Sequence, residues 1–337
     1  FRPLYESTGG RDGFVSIEVS PTLADDTAGT IAEAQRLWAA LARPNVMIKV
    51  PATPAGIPAV EKLIADGINV NVTLIFSVRQ YERVANAYIA GLERRAEAGK
   101  GLEVASVASF FVSRIDTAVD EQLERIGTER ARALLGKIAV ANARVAYGIS
   151  RRMLGGARWR VLADKGARVQ RLLWASTGTK NPAYSKTLYI DPLIGPDTVN
   201  TLPPAALQAL RDQGVVADTL GLAVADGEAR LAELPAVGVD LDEVCDRLLK
   251  DGVALFAASF ESLLAHVAAK RDRLQCGWHL LDGRLGKSAG AADAAVARLE
   301  AERIVPRIWA RDHTVWGPEP AEIANRLGWL DSAVRMT

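Results

Sequence analysis

Pro44-Asn-Val-Met-Ile-Lys49-Val-Pro-Ala-Thr53 is the stretch from which the fold is read. An apolar run of four to six residues bounded by prolines suits a short strand covered on both faces, as in a parallel sheet. One lysine interrupts it. Most strand lysines sit at strand ends and reach water. Otherwise the ammonium must snorkel out, pair with a carboxylate or lose its charge. A desolvated lysine attacks carbonyls and forms Schiff bases.

Working outward, Phe14–Val19 reads as a strand halted by Pro21, and Asp25–Ala42 carries Ile31, Ala34, Leu37, Trp38 and Leu41 at helical spacing. After the lysine strand come a helix from about Ile57 to Ala65, closed by Gly67 as a C-cap, and a strand from Ile68 to Phe76. Ser77 is placed to cap a helix running from Gln80 to about Ala98. Val104–Val112 is a fourth strand, and Ser113 opens a helix that continues past Leu123. One further helix is expected over Glu129–Leu154, strands over Val169–Ser176 and Thr187–Asp191, and a helix over Pro203–Asp212. Six alternations of strand and helix with short links describe a parallel sheet, doubly wound or closed as a (β/α) barrel. No Gly-x-Gly-x-x-Gly follows any strand, which removes the main support for a dinucleotide fold.

The polar residues favour the barrel. Glu18, Lys49, Asn71, Thr73, Ser109 and Arg114 come from, or just after, four successive strands, and strand carboxyl ends are where a barrel gathers such side chains. Lys49 supplies an amine. Glu18, one strand earlier, is a candidate proton relay through a water if burial keeps its carboxyl titrating near working pH. Asn71 and Thr73 flank Val72 and therefore face the same side. Ser109 and Arg114, around a strand-to-helix transition, suit a phosphate.

These 337 residues are 49% hydrophobic, with a formal net charge of +1. That balance offers no basic patch for nucleic acid, and no apolar run is read as long enough to span a membrane. Cys245 and Cys276 are far apart, neither a disulfide framework nor a zinc site, so a reducing cytoplasm is the default expectation. His266, His279 and His313 all fall late and read as solvated or partly packed helix residues rather than a metal site or triad.

Several runs carry a resemblance. Val15–Val19, Ile48–Thr53 with Gly56-Ile57, Gly67–Ser77, Ser106–Arg114 and Trp174–Pro182 resemble transaldolase, of the long bacterial type, in unbroken order over about residues 12 to 272. The resemblance implies a (β/α)8 TIM barrel of the class I aldolase type and a reaction without cofactor or metal. The reaction is transfer of a dihydroxyacetone unit from sedoheptulose 7-phosphate or fructose 6-phosphate to glyceraldehyde 3-phosphate or erythrose 4-phosphate, within the pentose phosphate pathway. Lys49 then matches the Schiff-base lysine, Glu18 and Thr73 the holders of the catalytic water, and Asn71 the ligand of the donor's hydroxyls. Ser109 and Arg114 match the phosphate anchors, with Phe111 on the pocket wall between them. The second phosphate cation falls to Lys180, with Ser176. A simple aldolase that releases free dihydroxyacetone is the near alternative, and a non-catalytic truncated module the distant one.

One departure is plain: the family's first-strand aspartate and second-strand Thr-Asn-Pro motif have no counterpart, because the match begins at the third strand. The expectation is thus an incomplete barrel of strands 3 to 8 over residues 1–273, open and aggregation-prone with little activity of its own. A linker and helix over 274–303 follow. Residues 304–337, through Arg307–Pro318 and Glu322–Leu330, resemble the junction of bifunctional transaldolase/glucose-6-phosphate isomerase chains, implying a fused isomerase region. Oligomeric state is not read from the sequence.

Overall fold

The computed structural model describes residues 1–221, 223–275 and 286–320. The chain divides into two compact units, Phe1–Ala265 and His266–Thr337.

In the first unit six strands, β1 (Val15–Glu18), β2 (Val46–Pro51), β3 (Val70–Ile75), β4 (Ser106–Phe111), β5 (Arg171–Ala175) and β6 (Thr198–Asn200), pair in parallel in chain order. Among the described residues β1 and β6 each pair with one strand only. This is the parallel βα sheet of an aldolase-type barrel, built from six strands. Alternation along each strand separates two faces. Ile48, Val50, Val70, Val72, Ala108, Phe110, Leu172 and Trp174 form the layer buried under the helices. On the opposite, inner face, Met47, Ala105 and Val107 make a smaller apolar layer with Phe14 and Leu173.

The helices of this unit are α1 (Arg2–Ser7), α2 (Thr27–Leu41), α3 (Gly56–Asp66), α4 (Val78–Glu97), α5 (Ser113–Ile126), α6 (Glu129–Arg132), α7 (Ile138–Gly155), α8 (Ala157–Ala163), α9 (Pro204–Gln213) and α10 (Val224–Glu233). They are followed by the long α11 (Leu241–Gln275). Capping fixes where several begin: Asp26 accepts from the Gly29 N–H, Ser77 from the Gln80 N–H and Thr128 from the Ala131 N–H.

Four expectations are corrected. The sixth strand is Thr198–Asn200, not Thr187–Asp191. Tyr189, Ile190 and Leu193 are apolar because they are buried in successive turns, closed by Ile190 N–H to Thr187 O and Leu193 N–H to Ile190 O. The helix expected over Glu129–Leu154 breaks into α6 and α7 at Gly136, whose φ is +67°. The sequence also reads as two helical segments, Asp242–Lys250 and Asp251–Arg273; they are one helix, α11, since Gly252 lies inside it, facing Leu74, rather than ending it. By length and composition α11 is also long and apolar enough to cross a membrane, which corrects the reading that no run is. The short helices α1 and α8 had no counterpart in the sequence reading.

In the second unit, α12 (Ala289–Ala301) and α13 (Ile304–Trp309) precede a 3-10 turn over His313–Val315. Asp312 caps that turn and pairs with Arg307 at 2.8 Å. The Thr314 hydroxyl and then Arg307 hold its carboxyl down at about 2. Cys276, His279 and the run Glu322–Leu330 lie outside the described residues.

Candidate active site

Register puts three of the expected residues in one row. Glu18 is paired with Lys49 across β1 and β2, and Lys49 with Asn71 across β2 and β3. Directly opposed residues of parallel neighbours project to the same face, so all three point to the inner face of the sheet. Lys49 Nζ lies 2.5 Å from Glu18 Oε1, with the side chains 23% and 33% exposed. The approach lacks hydrogen-bond angles, and Glu18 Oε1 and Thr73 Oγ1 are both buried without a hydrogen-bond partner. Between them is a small cavity of 20 Å³ lined by Glu18, Lys49, Thr73, Leu74 and Phe256. One water needs roughly 10–15 Å³ and at least two polar partners, which this cavity supplies. The Phe256 ring, from α11, covers the ammonium at 5.2 Å, a cation–π distance.

Asn71 occupies the middle of a polar chain. Its Nδ2 donates to Ser16 Oγ at 3.0 Å, and Ser109 Oγ donates to its Oδ1 at 2.7 Å. One amide N–H is thereby left over for a ligand. Ser16, Glu18, Lys49 and Asn71 all border a cleft of 1120 Å³ on the inner face, with Phe256, Phe260 and Leu263 on its wall.

Backbone features hold these strand ends. After Val72 the β3–β4 register shifts, and Leu74 takes φ +59°, costly for a bulky buried residue. The buried Gln80 amide braces this bulge: Nε2 donates to Ala52 O at 2.7 Å and Leu74 O at 3.1 Å, while Oε1 accepts from the Phe76 N–H at 2.9 Å. Sequence reasoning missed Gln80, although Ser77-x-x-Gln80 has the spacing of a capping box. Thr53 closes the lysine strand by donating to Ala24 O and accepting from the Gly56 N–H. A Cβ at position 56 would fall 2.0 Å from Pro51 O, so only glycine lets α3 begin this close to the strand.

Arg114 stands in a separate cleft of 470 Å³, with Thr117, Arg125, Lys180 and Arg247 opposed by Glu121, Glu243 and Asp251. The Phe111 ring lies 5.4 Å from the Arg114 guanidinium and 5.2 Å from Phe76. Ser176, at φ +56°, puts its Oγ 2.9 Å from Ser113 Oγ, and its carbonyl accepts from the Ser113 N–H. The structure therefore brings Lys180 to Arg114 and ties Ser176 to the same helix start. It does not bring Ser109 there, because that hydroxyl is committed to Asn71. Arg125 and Arg247 join the cleft without any motif to announce them.

Parallel βα units that set a lysine and a carboxylate side by side on the inner face define an aldolase-type α/β enzyme. The chain belongs to the transaldolase/fructose-6-phosphate aldolase family, whose model matches residues 3–267. It is 52% identical to a transaldolase of Acidothermus cellulolyticus over 274 residues, which cover 81% of this chain and 73% of that protein. It is 51% identical to a transaldolase of Thiobacillus denitrificans over 266 residues, covering 79% and 74%. Against the transaldolase of Thermobifida fusca the identity is 51% over 269 residues, covering 79% and 73%. The family match ends before residues 304–337 and lends the isomerase-like reading of that region no support.

Proposed function

We propose that this protein is a transaldolase acting through a Schiff base on Lys49. The observation that carries the reading is the Lys49–Glu18 pair beside a one-water cavity that Thr73 also lines. Glu18 is placed to take the ammonium proton, freeing Nζ to attack the C2 carbonyl of a ketose phosphate. Glu18 returns that proton to the carbinolamine hydroxyl, which leaves as water and gives the iminium. A water held by Glu18 and Thr73 then removes the proton of the C4 hydroxyl. The C3–C4 bond breaks, its electrons pass to the iminium as an enamine, and an aldose phosphate leaves. The enamine carbon adds to the aldehyde of the acceptor, its oxygen regains the proton, and hydrolysis releases the new ketose phosphate and the amine. Every step is a carbonyl (or iminium) addition, the reverse of one, or a proton transfer.

Asn71 has a donor available for the hydroxyls of the three-carbon unit, and the Arg114–Lys180 cleft has the charge for a phosphate. The substrates are then fructose 6-phosphate or sedoheptulose 7-phosphate as donor, with erythrose 4-phosphate or glyceraldehyde 3-phosphate as acceptor. The test is a coupled assay with fructose 6-phosphate, with and without erythrose 4-phosphate. Sedoheptulose 7-phosphate formed only with acceptor present supports transfer. Free dihydroxyacetone formed without acceptor identifies the cleavage activity instead, and neither product refutes both.

A further inference from the structure

Helix α5 carries more than Arg114. Asp116 and Asp120 lie one turn apart on its buried side, 1% and 8% exposed. Each carboxylate is held in the same way from two directions. Asp116 Oδ1 accepts from the Ala139 N–H at 2.7 Å and Oδ2 from the Tyr189 hydroxyl at 3.0 Å. Asp120 Oδ1 accepts from the Gly136 N–H at 3.0 Å and Oδ2 from the Tyr184 hydroxyl at 2.8 Å. The backbone donors sit just before and at the start of α7, and both tyrosines belong to the segment between β5 and β6. That segment also carries Lys180, four residues before Tyr184. Gly136 makes room for the second clasp: a Cβ there would meet the Tyr184 ring at 2.8 Å. Burial above all, with the adjoining carboxylates, pushes both tyrosine hydroxyls up, so they remain donors.

The geometry points to a two-point latch, Asp116–Tyr189 and Asp120–Tyr184, that positions Lys180 opposite Arg114 to receive the substrate's phosphate. This rests on the transaldolase reading above only in naming the phosphate as a sugar's. Arg114 needs no latch, because it is on α5 itself. Lys180 is on a connecting segment, and the tyrosines join that segment to the helix of the other cation. Tyr184 and Tyr189 are thus positioning residues for ligand binding.

The test is calorimetric titration with inorganic phosphate, together with steady-state kinetics on fructose 6-phosphate. Tyr184→Phe removes one hydroxyl and keeps the ring. It should weaken phosphate binding about five- to tenfold and raise KM by a like factor, with kcat within about twofold. In a Lys180→Ala background the same substitution should have no further effect on phosphate affinity. Tyr189→Phe should behave in the same way, and thermal melting verifies that each variant folds. Unchanged affinity in Tyr184→Phe and Tyr189→Phe, or an equal loss with and without Lys180, overturns the latch. Absence of phosphate binding by the wild-type protein overturns the phosphate cleft with it. Phosphate binding without turnover leaves the latch to be decided by the affinities and refutes the transaldolase reading alone.

Discussion

At the scale of single residues, the chemistry depends on which atom can do what. Lys49→Ala removes the proposed nucleophile. Lys49→Arg keeps the charge beside Glu18, but a guanidinium stays protonated and cannot form the imine, so both variants should be inactive in the coupled assay. Glu18→Gln keeps the shape of the cavity wall and loses the proposed proton relay, and kcat should fall by about 10²–10⁴. Thr73→Val removes one of the polar side chains that line the 20 Å³ cavity, and a loss of roughly tenfold in kcat corresponds to one hydrogen bond. Arg114→Ala should weaken phosphorylated sugars by about 1.5–3 kcal/mol, read as KM, while unphosphorylated donors lose little. Equal losses for both donor classes would place Arg114 in the fold rather than in binding.

At the scale of elements, two features carry predictions. Gln80 holds the ends of β2 and β3 together through three bonds to backbone groups. Gln80→Leu fills the space and leaves those groups unpaired, and stability in urea should fall by on the order of 3 kcal/mol. Asp116 carries a pH dependence. Burial above all raises its carboxyl from 3.8 to about 7; Asp120 adds to the rise, while the Ala139 and Ile138 N–H groups and the Tyr189 hydroxyl oppose it. The folded chain therefore binds more protons at this site than the unfolded chain between those values. This group's contribution to stability is full below about 4, is lost as pH rises to about 7, and changes little above. Asp116→Asn can keep both contacts, with Oδ1 accepting from Ala139 and Nδ2 donating to Tyr189. It should flatten the slope and gain on the wild type at pH 8 relative to pH 5, as read from urea midpoints.

The strands that carry Glu18, Lys49, Asn71 and Ser109 were legible because each is a bounded apolar run with one or two polar interruptions. Their convergence was legible because side chains two apart share a face. The segment after β5 was not. Leu188-Tyr-Ile190 has strand composition, yet its apolar atoms are buried through turns and Tyr189 is held by a carboxylate 73 residues earlier. A contact of that separation leaves no local pattern. The parting of Ser109 from Arg114 was hidden for a similar reason. Only the fold shows that the Ser109 hydroxyl is already taken by Asn71.

At the scale of the whole molecule, the exposed face of β1 carries a prediction. Val15 and Ile17 on β1 are 44% and 36% exposed, and β1 has one strand neighbour among the described residues. An edge strand of this kind templates pairing with another chain. Sedimentation velocity should show concentration-dependent self-association that Ile17→Lys reduces, and no change on that substitution would place the contact elsewhere. The central claim, a Schiff base on one lysine of the inner face, has a more direct test. The protein is incubated with fructose 6-phosphate, reduced with borohydride, digested and mapped by mass spectrometry. A three-carbon or six-carbon adduct on Lys49, absent in Lys49→Ala, is the expected result. An adduct on any other lysine, or turnover that survives Lys49→Ala, contradicts the claim.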